Sequence, residues 1–122
     1  MINVTDTQWT TDFLNRVLSA SESRWLETKR VSGKMVGKAL EAICAFANTE
    51  GGWLVLGVED ESKAKGTDRL FGIAENQEAV DELMRKLLTH HLPIISGIQA
   101  LRLPCRLRDG SVGALVAITV PA

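Results

Sequence analysis

The stretch from Ala45 to Asp60, AFANTEGGWLVLGVED, limits what this chain can fold into more than any other. Ala42, Ile43, Ala45, Phe46 and Ala47 are spaced as in a helix buried on more than one side. Gly51-Gly52 stops that helix, because glycine takes positive φ without steric cost at a helix C-terminus. Trp53 to Val58 then runs apolar without a break, the pattern of a strand covered on both faces. Glu59-Asp60-Glu61 ends the run with three carboxylates, which reads either as an acidic surface turn or as chemistry delivered by a rigid strand.

The rest of the chain arranges itself around this unit. Trp9, Phe13, Leu14, Val17 and Leu18 recur at helical spacing and predict an amphipathic first helix ending near Ser19 to Ser21. Ser23 to Val31 reads as a strand, with Leu26, Thr28 and Arg30 on one face and Trp25, Glu27 and Lys29 on the other. Ser32 is the expected N-cap of the central helix, roughly Lys34 to Asn48. After the central strand, Glu61 to Arg69 reads as an exposed loop and Leu70 to Ile73 as a short strand. Asn76 is the expected N-cap of a third helix that Pro93 prevents from continuing.

Ile98 to Arg108 alternates, with Leu101, Leu103, Cys105 and Leu107 on one face and Arg102, Arg106 and Arg108 on the other. Asp109-Gly110 signals a two-residue hairpin into a final apolar strand, Val112 to Val120. Pro104 cannot donate to a ladder, so its strand is expected at an edge or with a bulge. The expected architecture is a single α/β domain over 1–122, two-layer or sandwich-like, with a mixed sheet.

Composition narrows the function classes. A chain of 122 residues with 45% hydrophobic and 24% charged residues has material for a packed core. No apolar run approaches the about 18 residues needed to span a bilayer, and the N-terminus lacks a basic-then-apolar signal, so the expected location is cytoplasmic and no membrane partner is expected. Two cysteines, Cys44 and Cys105, read as small core residues rather than a disulfide framework. A net charge of -1 argues against a non-specific DNA coat but leaves room for a local basic face.

Two constellations carry candidate chemistry. Glu22, Glu27 and Asp60 converge if their strands are neighbours, and three carboxylates together call for a cation such as Mg²⁺ or Mn²⁺, which assists phosphodiester cleavage. Lys29, on the face of Glu27, is placed to bind a scissile phosphate; the alternative is a plain Glu27–Lys29 ion pair. Arg102, Arg106 and Arg108, with Lys29 and Lys34, offer a surface for a nucleic-acid backbone; the alternative is a solvated strand face. The segment GKMVGKA from Gly33 to Ala39 is one residue short of a phosphate loop and lacks its hydroxyl, so ATP binding by that route is not expected. His90-His91 has no second ligand pair at metal spacing and reads as a helix terminus.

ESRWLETK, from Glu22 to Lys29, followed after a helix by AFANTEGGWLVLGVED, resembles the Schlafen/AlbA-type putative DNA-binding domain, also called the divergent AAA domain. The resemblance runs from about Ser21 to Val120. It implies a Schlafen/AlbA-like fold, and it places the family's nuclease carboxylates on Glu22, Glu27 and Asp60, with Glu59 as the alternative to Asp60 after a loop shift. Thr28 departs from the family, standing where an aromatic residue is usual between the glutamate and the lysine. The chain ends at Val120-Pro121-Ala122, before the segment that usually follows, which implies the N-terminal part of a longer protein.

Bacterial relatives commonly open transcriptional regulators or helicase-related proteins, while vertebrate Schlafen proteins carry a doubled version that cleaves transfer and ribosomal RNA. The resemblance implies a nucleic-acid (DNA) binding module and leaves enzyme activity open. The alternatives are a Mg- or Mn-dependent endoribonuclease and a protein-interaction or dimerisation module that forms a homo-oligomer.

Overall fold

The computed structural model describes residues 1–20, 23–89 and 97–122. Glu22, the His90-His91 pair and Pro93 lie outside the described residues. The elements run β1 (Ile2–Asn3), α1 (Thr7–Ser19), β2 (Leu26–Lys29), α2 (Met35–Ala47), β3 (Gly52–Leu56), α3 (Gln77–Thr89), β4 (Gln99–Arg106) and β5 (Val112–Val120). The five strands form one mixed sheet in the order β1-β4-β5-β3-β2. β2 runs parallel to β3 and β1 parallel to β4, while β5 is antiparallel to both its neighbours.

Helices lie on both faces, which selects the sandwich-like form of the α/β expectation. Leu54, Leu56, Val116 and Ile118 face a core shared with α2 and α3. Val55, Leu103, Leu115 and Ala117 face a second core closed by α1. β3 and β5 are thus buried on both sides, as the continuous apolar run of β3 requires.

The joint between α2 and β3 is tight. Gly51 takes φ +82, and its amide donates to the Phe46 carbonyl at 2.9 Å, closing the helix. A Cβ on Gly51 would stand 2.5 Å from the Val120 carbonyl oxygen. A Cβ on Gly52 would stand 2.5 Å from the Phe46 ring. The first glycine supplies the turn and the second lets the aromatic ring lie against the strand.

Several local expectations shift. β3 stops at Leu56 rather than Val58, because Gly57 at φ +96 begins a bulge in which the Gly57 and Val58 amides both donate to the Lys29 carbonyl. Leu70 to Ile73 is no strand: only a Val58–Leu70 bridge forms, and Gly72 at φ +86 turns the chain away. Ser32 does not cap α2 through its side chain; Lys34 holds the cap position without a side-chain hydrogen bond. Asn76 does cap α3, its Oδ1 accepting from the Ala79 amide at 3.1 Å.

The Asp109-Gly110 turn forms with a third residue. The Gly110 amide donates to Leu107 O at 2.9 Å and only Gly110 has positive φ, so a type I turn with a left-handed glycine replaces the two-residue form. β4 is covered by β1 only at Leu101 and Arg102, so Pro104 sits where the outer side of the strand needs no donor, as expected of an edge. Among the described residues no helix is long and apolar enough to cross a membrane.

Phe46 is 5% exposed and wedges the helix–strand joint. Phe46→Ala is expected to cost about 3–5 kcal/mol, read as a fall in the urea midpoint at unchanged slope. A midpoint equal to that of the parent would show that the core is not built around this ring.

Candidate functional site

β2 places its side chains by simple alternation. Leu26 and Thr28 are buried toward α1, and Glu27 and Lys29 open on the opposite side against α2. There they line a cleft of about 480 Å³ together with Arg24, Lys38 and Glu41. Lys29 Nζ lies 3.5 Å from Glu27 Oε1, with both side chains half-buried.

Asp60 lies past the Gly57 bulge, on exposed chain. The bulge inverts the alternation: Leu56 faces the α2 core, and Val58, two residues on, faces the α1 core. The Asp60 Oδ1 accepts from the Ser62 amide at 3.0 Å. That amide, with lesser contributions from Lys63 and Arg69, holds the carboxyl below its ordinary value. Glu27 and Asp60 therefore have separate partners. Among the described residues no three His, Cys, Asp or Glu side chains stand together as a metal requires. Glu22, the third acid of the expected set, lies outside the described residues.

The neighbouring acid, Glu59, is the more firmly held. Arg30 Nη1 donates to Glu59 Oε2 at 3.0 Å, and its other nitrogens reach Glu75. The Glu75 hydrogen bond leads the effects that raise the Arg30 pKa. Burial works against ionisation of Glu59. The Asp60 amide, at 2.8 Å from Oε1, and the Arg30 guanidinium outweigh it and hold the carboxyl below its ordinary value of 4.5.

Arg69 is the residue that sequence reasoning missed. It belongs to a polar loop read as exposed, yet it is 2% exposed. Its Nε donates to the Glu59 carbonyl at 2.7 Å and its Nη2 to Thr28 Oγ1 at 3.3 Å. The one available signal was Thr28: a hydroxyl where an aromatic residue is usual gives a buried guanidinium an acceptor. Phe71 was also missed. The Arg30 guanidinium lies 3.7 Å from its ring centroid and that of Arg108 4.5 Å.

The expected basic face is distributed as follows. Arg102 and Arg106 are exposed on β4, four residues apart and opposite the side of Leu103. Arg106 Nη1 donates to the Gly110 carbonyl at 2.6 Å. Arg108 lies past the end of β4, where its Nε donates to the Asp68 carbonyl at 3.2 Å. Lys34 is exposed at the start of α2. Among the described residues, none of Arg102, Arg106, Arg108 or Lys34 lies within ion-pair distance of a carboxylate. Burial pushes the Cys105 thiol up, which fits a packed residue rather than a reactive one.

A carboxylate held below its ordinary pKa adds stability that is complete above its unfolded pKa and fades as pH falls through the folded value. Glu59 and Asp60 are both of this kind. Thermal stability is expected to fall on acidification from neutral pH through the region of 4.5 and below, and Glu59→Gln is expected to flatten that fall. Parallel acid limbs for the parent and Glu59→Gln would show that the Arg30 bridge adds nothing.

The family model described as Schlafen, AlbA_2 matches residues 22–115, a span that takes in β2, the α2–β3 joint, the Glu59–Asp60 end and the arginine-bearing β4. The match covers most of the chain and joins it to a group associated with nucleic acids: the protein belongs to the Schlafen/AlbA_2 family.

Proposed function

We propose that this chain is a nucleic-acid-binding module, with DNA as its principal partner, acting in the cytoplasm as the N-terminal part of a bacterial transcriptional regulator or helicase-related protein. The observation that carries the reading is the state of Arg102, Arg106 and Arg108. All three are exposed, and none is within ion-pair distance of a carboxylate among the described residues. The hydrogen bonds of Arg106 and Arg108 go to neutral carbonyls, which orient the guanidinium without cancelling its charge. A protein with net charge -1 that leaves these cations unneutralised has a local field suited to phosphate. Lys34 adds to that field, whereas Lys29 must leave Glu27 to do so.

Each phosphate that a cation neutralises steepens the slope of log K against log salt by about 0.9 for duplex DNA. The triple charge reversal R102E/R106E/R108E is therefore expected to abolish binding at moderate salt. The milder triple alanine variant is expected to reduce the slope by about 2.7 if all three guanidiniums meet phosphate. Fluorescence anisotropy with labelled duplex across a salt series reads both. Binding at full strength in the charge-reversed variant would place the interface elsewhere.

A second reading is metal-dependent RNA cleavage through Glu22, Glu27 and Asp60. What supports it is the shared cleft of Glu27 and Lys29, an acid beside a cation able to take a phosphate. Cleavage of structured RNA in Mn²⁺ that falls with Glu27→Gln would favour it. Absence of cleavage by the parent, or equal cleavage by both proteins, would leave the binding module.

A further inference from the structure

All three tryptophans of the chain, Trp9, Trp25 and Trp53, line one groove with Phe13, between α1 and the β2–β3 edge of the sheet. The groove encloses about 1000 Å³. Trp9 and Phe13, one turn apart on α1, stack with centroids 5.1 Å apart and planes at 7°. Phe13 meets Trp53 at 4.9 Å and 56°, so the row of rings continues from helix to sheet. The Trp53 amide donates to the Trp25 carbonyl at 2.8 Å, which fixes these two residues side by side. Phe13 takes one face of Trp9, yet Trp9 remains 39% exposed and Trp25 52%. Large aromatic side chains gathered and left in water mark an interaction surface.

The charges at the groove select the occupant. Arg16 continues the Trp9–Phe13 face of α1 and lines the same groove. Asp12 stands one turn before it, but the two form no ion pair; the Asp12 carboxylate instead accepts from Gln8 Nε2 at 3.0 Å. A row of flat apolar rings beside a guanidinium that has no ion pair among the described residues matches a flat base on a phosphate chain. In a duplex the base faces are covered by their neighbours, so only unpaired bases can stack here.

We infer that this groove binds single-stranded nucleic acid, with unpaired bases stacked on the tryptophans and the phosphate chain on Arg16. The inference rests on the nucleic-acid-binding reading and adds a second surface to it, distinct from the β4 arginines.

The chain has no tyrosine, and every tryptophan lies in the groove, so its intrinsic fluorescence reports on this site alone. The test titrates the protein with oligouridine, oligothymidine and a duplex, each of about twelve nucleotides, and with a proline-rich peptide. Emission and anisotropy are read together. The expected result is quenching by at least one of the single strands, with the stronger of the two identifying RNA or DNA, and little quenching by duplex. Trp25→Ala, at an exposed position, is expected to weaken single-strand binding roughly 5- to 150-fold. Arg16→Glu, also exposed, keeps every ring and is expected to weaken binding and its salt dependence together.

Binding seen by anisotropy without quenching, and unaffected by Trp25→Ala and Arg16→Glu, would overturn the groove while leaving the binding-module reading intact. Quenching by duplex equal to that by single strands, or by the peptide alone, would overturn it as well. A parent that binds none of the nucleic acids would overturn both readings.

Discussion

The fold depends on how closely α2 can turn into β3. Three residues separate the last helical turn from the central strand apart from Gly51, and the strand must start flush against Phe46. Only a glycine at φ +82 next to a second residue without a Cβ satisfies both conditions. Once the joint closes, β3 is held against β2 on one side and β5 on the other. The two cores then form on its alternate residues, with Leu54 and Leu56 in one and Val55 in the other. An added methyl group would push on Val120 at the β5 end from Gly51 or on the Phe46 ring from Gly52, and so on the core shared with α2 and α3.

The end of β3 is governed by charge rather than by packing alone. Arg69 brings a guanidinium into the interior beside Thr28 and must be satisfied there. It takes the Glu59 carbonyl, which leaves the Glu59 carboxylate free to meet Arg30 from the other side. Arg30 in turn joins Glu75, just before α3, and covers Phe71 with Arg108. The loop from Glu59 to Asn76 contains no strand, yet it is tied to Thr28 of β2, to Arg108 just past β4 and to Ala114 of β5. A loop bound this way presents Asp60 and its neighbours on a rigid support.

Much of this was legible in the sequence, and the parts that were not share a cause. Periodicity located the three helices, the central strand and the final hairpin because each has a long apolar pattern, several of them bounded by a strong signal: the Gly51-Gly52 stop, the Asn76 cap or the Asp109-Gly110 turn. β1 escaped because two residues carry no period, and its pairing with β4 is decided wholly by tertiary placement. The shortening of β3 escaped because Val58 looks like any other apolar strand residue; only the shared acceptor at Lys29 turns Gly57 into a bulge. Arg69 escaped for a related reason. A polar loop reads as exposed, and burial of one guanidinium within it depends on acceptors 10 and 41 residues away in sequence. The separate partners of Glu27 and Asp60 follow from that same bulge, which no pattern along the chain records.

The distribution of aromatic residues gives a final constraint on how the surface can work. Only six residues are aromatic, and Phe46 and Phe71 are occupied by the helix–strand joint and by two guanidiniums. The remaining four lie in one groove, where Phe13 bridges the helix face to Trp53. Folding alone would be served by burying such rings, since apolar area left in water forfeits about 25 cal/mol for each Å². The fully buried positions on both faces of the sheet are instead filled by aliphatic side chains, with Phe46 the one ring in the buried part of the α2–α3 core. Phe13 and Trp53 pack against the core closed by α1 while Trp9 and Trp25 stay exposed, and the cations of β4 stand on a different element of the sheet. Stacking and phosphate contact respond differently to salt, the first weakly and the second steeply. Two surfaces so divided would let one small domain hold paired and unpaired nucleic acid by separable forces.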